Sequence, residues 1–71
     1  MNPYAELANA IVLSAVKDYR KALKRLKKFP WDEPSRIMKK ECERFFRSWW
    51  FAVLTSIDGE VLIEKLKAEV A

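Results

Sequence analysis

The 71-residue sequence contains no histidine and only one cysteine, Cys42. Zinc, haem and iron–sulfur sites are built mainly from histidine and cysteine ligands, and catalytic triads use histidine as their base. These site classes are therefore excluded, and a disulfide within the chain is excluded with them. We expect neither a metal nor another cofactor, assign no catalytic residue, and predict that the protein is not an enzyme.

Glycine is also rare, and long apolar runs are missing. The chain has one Gly and three Pro against three Trp, four Phe and two Tyr, a composition typical of an ordered chain. Its longest unbroken apolar stretch, Trp49 to Leu54, is too short for a membrane span or a secretion signal. We therefore expect a cytoplasmic protein without integral membrane association.

Capping residues and hydrophobic spacing predict three helices. Asn2 before Pro3 is typical of a helix start and Pro30 prevents continuation, which predicts a first helix over about residues 3–28. The acidic residues and proline at 32–34 predict a second helix over about 34–54. Asp58 can cap a third helix over about 58–70. Apolar residues repeat at helical spacing, and no segment alternates as a strand does.

These lengths predict one all-α domain, residues 1–71. The first two helices are long and their connection is short, so we expect a long antiparallel helical hairpin. The third helix is too short to cover both. We expect it to pack on the apolar half of the hairpin, where the start of the first helix lies against the end of the second, leaving the other half bare.

Positive charge is concentrated in the half that this arrangement leaves bare. Residues 17–47 hold twelve Lys or Arg against five Asp or Glu, whereas the rest of the chain holds two against five. Such cations attract phosphates without sequence choice, which predicts binding of nucleic acid or a nucleoprotein. The residues expected to lead this binding are Arg20, Lys24, Lys28, Lys39, Lys40, Arg44 and Arg47. A solvated helix surface and an acidic protein partner are the alternatives.

Aromatic residues cluster between positions 45 and 51 and spread around more than half a helical turn. Two neighbouring helices are not expected to bury all five rings, and a monomer rarely leaves a large apolar patch exposed. We therefore expect self-association as a homodimer through Phe46, Trp50 and Phe51. Packing within the core of one chain, a base-stacking platform and contact with a membrane surface are the alternatives.

Two stretches, NAIVLSAVKDYRKALKRLKK (Asn9 to Lys28) and ECERFFRSWWFAVLTSIDGEVLIEKL (Glu41 to Leu66), resemble small uncharacterised proteins encoded in prophages and mobile elements of Firmicutes. The second stretch is the more specific. The resemblance covers about two thirds of the chain and supplies no site residues. It implies a phage or mobile-element accessory protein, with nucleic-acid binding as the first role. Its other implied role is inhibition of a host protein. From the sequence as a whole, the alternatives to nucleic-acid binding are a protein-interaction module or inhibitor of a host protein, and a purely structural self-associating helical protein.

Overall fold

The computed structural model describes residues 2–71 and contains four helices: α1 (Pro3–Lys28), α2 (Glu33–Phe46), α3 (Trp49–Leu54) and α4 (Gly59–Val70). No strand occurs within residues 2–71, so the predicted all-α class is confirmed. Met1, the first residue of the predicted domain, lies outside the described residues. The molecule measures 42 × 19 × 19 Å, and its long dimension matches the length of about 39 Å expected for the 26 residues of α1.

Helix α1 begins and ends where the sequence predicts. The side chain of Asn2 accepts a hydrogen bond of 3.0 Å from the Tyr4 N–H, and Pro3 occupies the first turn, where a missing N–H costs nothing. The helix ends at Lys28, two residues before Pro30. α1 contacts each of the other three helices.

The predicted continuous second helix over 34–54 is wrong, because the chain breaks at Arg47 and Ser48 into α2 and α3. The Ser48 hydroxyl donates a hydrogen bond of 2.6 Å to the carbonyl of Phe45 and accepts one of 3.2 Å from the Phe51 N–H. It therefore closes one helix and caps the next. Apolar residues on both sides of the break keep helical spacing, and this spacing hides the break in the sequence.

The break also changes where the last helix packs. Within α4, Glu60 forms an ion pair with Arg47 at 2.5 Å, and Glu69 pairs with Arg20 at 2.7 Å. α4 therefore runs beside the second half of α1, rather than on the apolar half where the sequence predicted its short last helix. Gly59 permits this path, because a Cβ at that position would overlap the backbone carbonyl of Phe46. Helix α4 thus covers one side of the half of the hairpin that the sequence analysis expected to stay bare.

The core lies where these helices meet. The side chains with almost no exposed surface are Tyr19, Phe46, Phe51, Ile63 and Leu66. Phe46 packs edge-on against Tyr19 at 5.5 Å and against Phe51 at 5.6 Å between ring centroids. Phe46 and Phe51, which lie on either side of the break at Ser48, therefore pack against each other in the same core.

A polar cluster around Glu43 joins α1, α2 and α4 beside this core. The Tyr19 hydroxyl donates a hydrogen bond of 2.6 Å to the Glu43 carboxylate, and Lys39 lies 3.0 Å from the same carboxylate. Arg47 and Lys67 each approach it at 3.8 Å. Burial alone would raise the pKa of Glu43, but the hydrogen bonds from Tyr19 and Lys39, together with the positive charges of Lys39 and Lys67, hold that pKa below its usual range. Glu43 therefore stays ionised and fixes the second half of α1 against its neighbours.

Candidate nucleic-acid interface

Four lysines form a row along the outer face of α1. Lys17, Lys21, Lys24 and Lys28 are spaced four, three and four residues apart, which places them on one side of a helix with 3.6 residues per turn. All four are exposed, whereas Val16, Tyr19 and Leu23, on the other side of the helix, are buried. The row, defined by these four residues, is about 17 Å long at 1.5 Å per residue.

The four lysines of the row take part in none of the ion pairs found among residues 2–71. Within residues 2–71, no carboxylate oxygen lies within 4.0 Å of any of its four ammonium groups. Glu69 is the acidic residue that shares a groove with Lys24 and Lys28, and its carboxylate is held by two hydrogen bonds from Arg20, of 2.7 and 2.9 Å. The row therefore presents four positive charges that no carboxylate contacts.

Three of the four lysines of the row line a shallow groove on the surface. Lys17, Lys21 and Lys24, together with Leu13 and Arg20, line a groove of about 450 Å³. Because a groove of this kind lets a phosphate approach more than one cation at once, the surface suits an extended polyanion.

The seven cations predicted from the sequence divide into three groups. Lys24 and Lys28 belong to the lysine row. Lys40 and Arg44 lie exposed and four residues apart on the outer face of α2, which points away from the outer face of α1 because the two helices pack through their buried faces. The remaining three, Arg20, Lys39 and Arg47, form ion pairs within the chain.

The predicted set therefore does not form one surface. The ion pairs that divide it join residues far apart in the sequence, such as Arg20 and Glu69, so sequence spacing does not reveal them. Lys17 and Lys21 complete the row but were not among the predicted leading residues, although their spacing from Lys24 places them on the same side of a helix.

The three predicted self-association residues do not share one surface: two are buried in the core and one is partly exposed. Phe46 and Phe51 are each only 2% exposed and belong to the core of one chain, so the prediction that they anchor a dimer is wrong in this fold. Trp50 stays partly exposed and lines an apolar groove of about 260 Å³ between the start of α1 and α3. Its other lining residues are Tyr4, Leu7, Ala8, Ile11, Val53 and Leu54. We call this surface, together with the neighbouring exposed Trp49, the apolar face.

Cys42 is a buried packing residue. Its side chain lies in the core cluster, with the sulfur 3.7 Å from the carbonyl oxygen of Ala15. Burial, together with the nearby negative charges of Asp18, Glu41 and Glu43, raises the pKa of the thiol to about 11. A thiol in this state is a poor nucleophile at neutral pH.

Metal-binding and membrane-spanning features are absent from the part of the chain that the structure describes. Residues 2–71 contain no group of three or more Cys, Asp or Glu side chains arranged to hold a metal ion. None of the four helices combines the length and hydrophobicity that a membrane crossing requires.

Comparison with protein-family models, curated proteins and solved structures found no match to this chain. The resemblance to prophage and mobile-element proteins therefore stays a prediction.

Proposed function

We propose that the protein binds nucleic acid through the lysine row, contacting phosphates without reading base sequence. The observation that carries this proposal is the row of four exposed lysines without a carboxylate within 4.0 Å among residues 2–71. We further propose that the protein acts in a cytoplasm, without enzymatic activity, as an accessory protein of a phage or mobile element.

Lysine is suited to this role because its ammonium group is a compact point charge on a flexible stem, which adapts to phosphates at variable spacing. Four phosphate contacts predict a slope of about −3.6 for the logarithm of the binding constant against the logarithm of salt concentration. Between about 50 and 200 mM salt, affinity would then fall by about 150-fold.

Two variants of equal charge test the proposal. The first replaces Lys17, Lys21, Lys24 and Lys28 by Gln, and the second makes the same change at four other exposed cations, namely Arg36, Lys40, Arg44 and Lys65. We expect the first to lose most of its binding to a labelled oligonucleotide, and the second to lose only the small share due to net charge. Equal losses in the two variants would contradict a role specific to the row.

A second candidate property is self-association, which the apolar face favours. Tyr4 is 82% exposed and Trp49 is 76% exposed, and Leu7 and Val53 beside them are exposed as well. At 150–250 Å² for each aromatic side chain, Tyr4, Trp49 and Trp50 together expose about 300–500 Å². A standard interface takes about 800 Å² from each partner, so these three rings supply about half of one side, and Leu7 and Val53 add to it.

We propose a second copy of this chain as the occupant of the apolar face. Glu6 is the one charged residue within 3–16, and residues 48–57 carry none, so two copies do not repel across this face. The homodimer would keep the lysine rows, which lie on the other half of α1, free for nucleic acid.

Light scattering on the wild type and on Leu7→Glu tests whether a second copy of the chain occupies the apolar face. We expect a dimer that the substitution converts to a monomer of unchanged helicity, because Leu7 is exposed in the single chain. A monomeric wild type at about 100 µM, well above the Kd of a specific interface, would contradict the homodimer. It would turn attention to a host protein as the partner.

A further inference from the structure

The loop between α1 and α2 presents an exposed tryptophan at the end of the lysine row. Trp31 is 74% exposed and follows Lys28, the last residue of the row, by three positions. Its indole makes one aromatic contact within the described residues, an edge-on contact with Phe29 at 6.2 Å between ring centroids. A side chain this exposed adds little to the core, and most of its ring surface is accessible to a ligand.

The loop that carries Trp31 is held firmly in place. The Phe29 N–H donates to the Arg25 carbonyl at 2.8 Å, and the Asp32 N–H donates to the Phe29 carbonyl at 3.0 Å. The Asp32 carboxylate accepts hydrogen bonds from Arg25 at 3.1 Å and from the Ser35 hydroxyl at 2.5 Å. The Arg25 guanidinium also lies 5.1 Å above the Phe29 ring. Because both flanks are fixed, the Trp31 ring is presented at a defined place without a large ordering cost on binding.

An exposed aromatic ring that follows a row of exposed lysines closely in the chain provides the two kinds of group with which proteins hold single-stranded nucleic acid. The cations follow the phosphates, and the aromatic ring stacks on an unpaired base whose faces are free. In a duplex each base is stacked between its neighbours and offers no face to a side chain. The two features together therefore distinguish between forms of nucleic acid, which the lysine row alone does not do.

We propose that the protein prefers single-stranded nucleic acid and that Trp31 stacks on one of its bases while the lysine row follows the backbone. This inference rests on the proposed function and names the form of nucleic acid at that same site. Stacking on one base is expected to change affinity by about tenfold or more when the ring is removed. Phosphate contacts at the lysine row would be unaffected.

Fluorescence anisotropy with two labelled probes tests the inference, one an oligodeoxythymidine of about 20 nucleotides and the other a duplex of about the same length. The proteins are the full-length wild type, Trp31→Ala, Trp31→Phe and the control Val61→Ala, which removes an exposed apolar side chain of α4 outside both the lysine row and the apolar face. We expect Trp31→Ala to bind the single strand about tenfold more weakly and the duplex unchanged. Trp31→Phe should restore most of the loss, and Val61→Ala should match the wild type.

Two results would overturn the inference while leaving the proposed function in place. They are equal single-strand affinity of Trp31→Ala and the wild type, and a loss that is the same on single strand and duplex. Failure of the wild type to bind either probe at about 50 mM salt, where phosphate contacts are strong, would instead overturn the proposed function and this inference together.

Discussion

Replacing Tyr19 by Phe tests whether the polar cluster around Glu43 stabilises the fold. Tyr19 has no exposed surface, and its hydroxyl donates a hydrogen bond of 2.6 Å to the Glu43 carboxylate. Hydrogen bonds to charged groups contribute about 1.5–3 kcal/mol. Because Lys39 and Arg47 still contact the carboxylate after the change, we expect a loss of about 2 kcal/mol in the free energy of unfolding.

A loss of this size is large for so small a domain, whose core supplies about 3–5 kcal/mol. For a chain of this length, 2 kcal/mol corresponds to a fall of about 8–16 °C in Tm. Urea denaturation at pH 7, followed by circular dichroism, measures the effect. The control is Tyr4→Phe, which removes a hydroxyl from an exposed ring and should leave stability unchanged.

The effect of Tyr19→Phe should also depend on pH. The pKa of Glu43 is lower in the folded chain than in the unfolded chain, where a glutamate titrates near about 4.3. The ionised Glu43 carboxylate therefore contributes its full stabilisation above the unfolded-state pKa. This stabilisation is lost as the pH falls through the lower pKa of the folded state. We expect the difference between Tyr19→Phe and the wild type to narrow below about pH 4. A difference under about 0.5 kcal/mol at pH 7, or one that does not change with pH, would refute this reasoning.

Three further predictions concern the break in the helix, the start of α4 and the buried thiol. Gly59→Ala should cost about 1–3 kcal/mol in denaturant unfolding, because its Cβ would overlap the Phe46 carbonyl; a gain in stability, which alanine usually gives in a helix, would contradict the close packing. Ser48→Ala should cost about 1 kcal/mol in the same assay through loss of the cap on α3, and no loss would show that the cap is dispensable. Cys42 should react with a thiol reagent at pH 8 only as the chain unfolds, so rapid labelling of the folded protein would contradict its burial.

The helix ends that local chemistry decides are predictable from the sequence. Asn2, Pro3 and Pro30 act through the backbone of their own turn, and α1 has the predicted bounds. Asp58 likewise accepts hydrogen bonds from the N–H groups of Glu60 and Val61 and caps α4 as expected. These signals need no knowledge of the rest of the fold.

The features that depend on distant contacts are not predictable in this way. Ser48 has the same spacing to its apolar neighbours whether it continues a helix or caps a new one. The break accompanies the packing of Phe46 and Phe51 into one core with Tyr19 of α1, a residue distant in the sequence. The direction of α4 follows from the break. The charge of the basic half was evident from composition, but which cations stay free depends on ion pairs such as Arg20 with Glu69, formed across 49 residues.

The salt dependence of nucleic-acid binding is the most direct test of the lysine row as a phosphate-binding surface. Anisotropy titrations of the wild type between about 50 and 200 mM salt should show affinity falling by about 150-fold on a duplex, the value for four phosphate contacts. The variant with Gln at Lys17, Lys21, Lys24 and Lys28 should show a slope near zero. No binding at about 50 mM salt, or the same steep slope in that variant, would contradict the role assigned to the row.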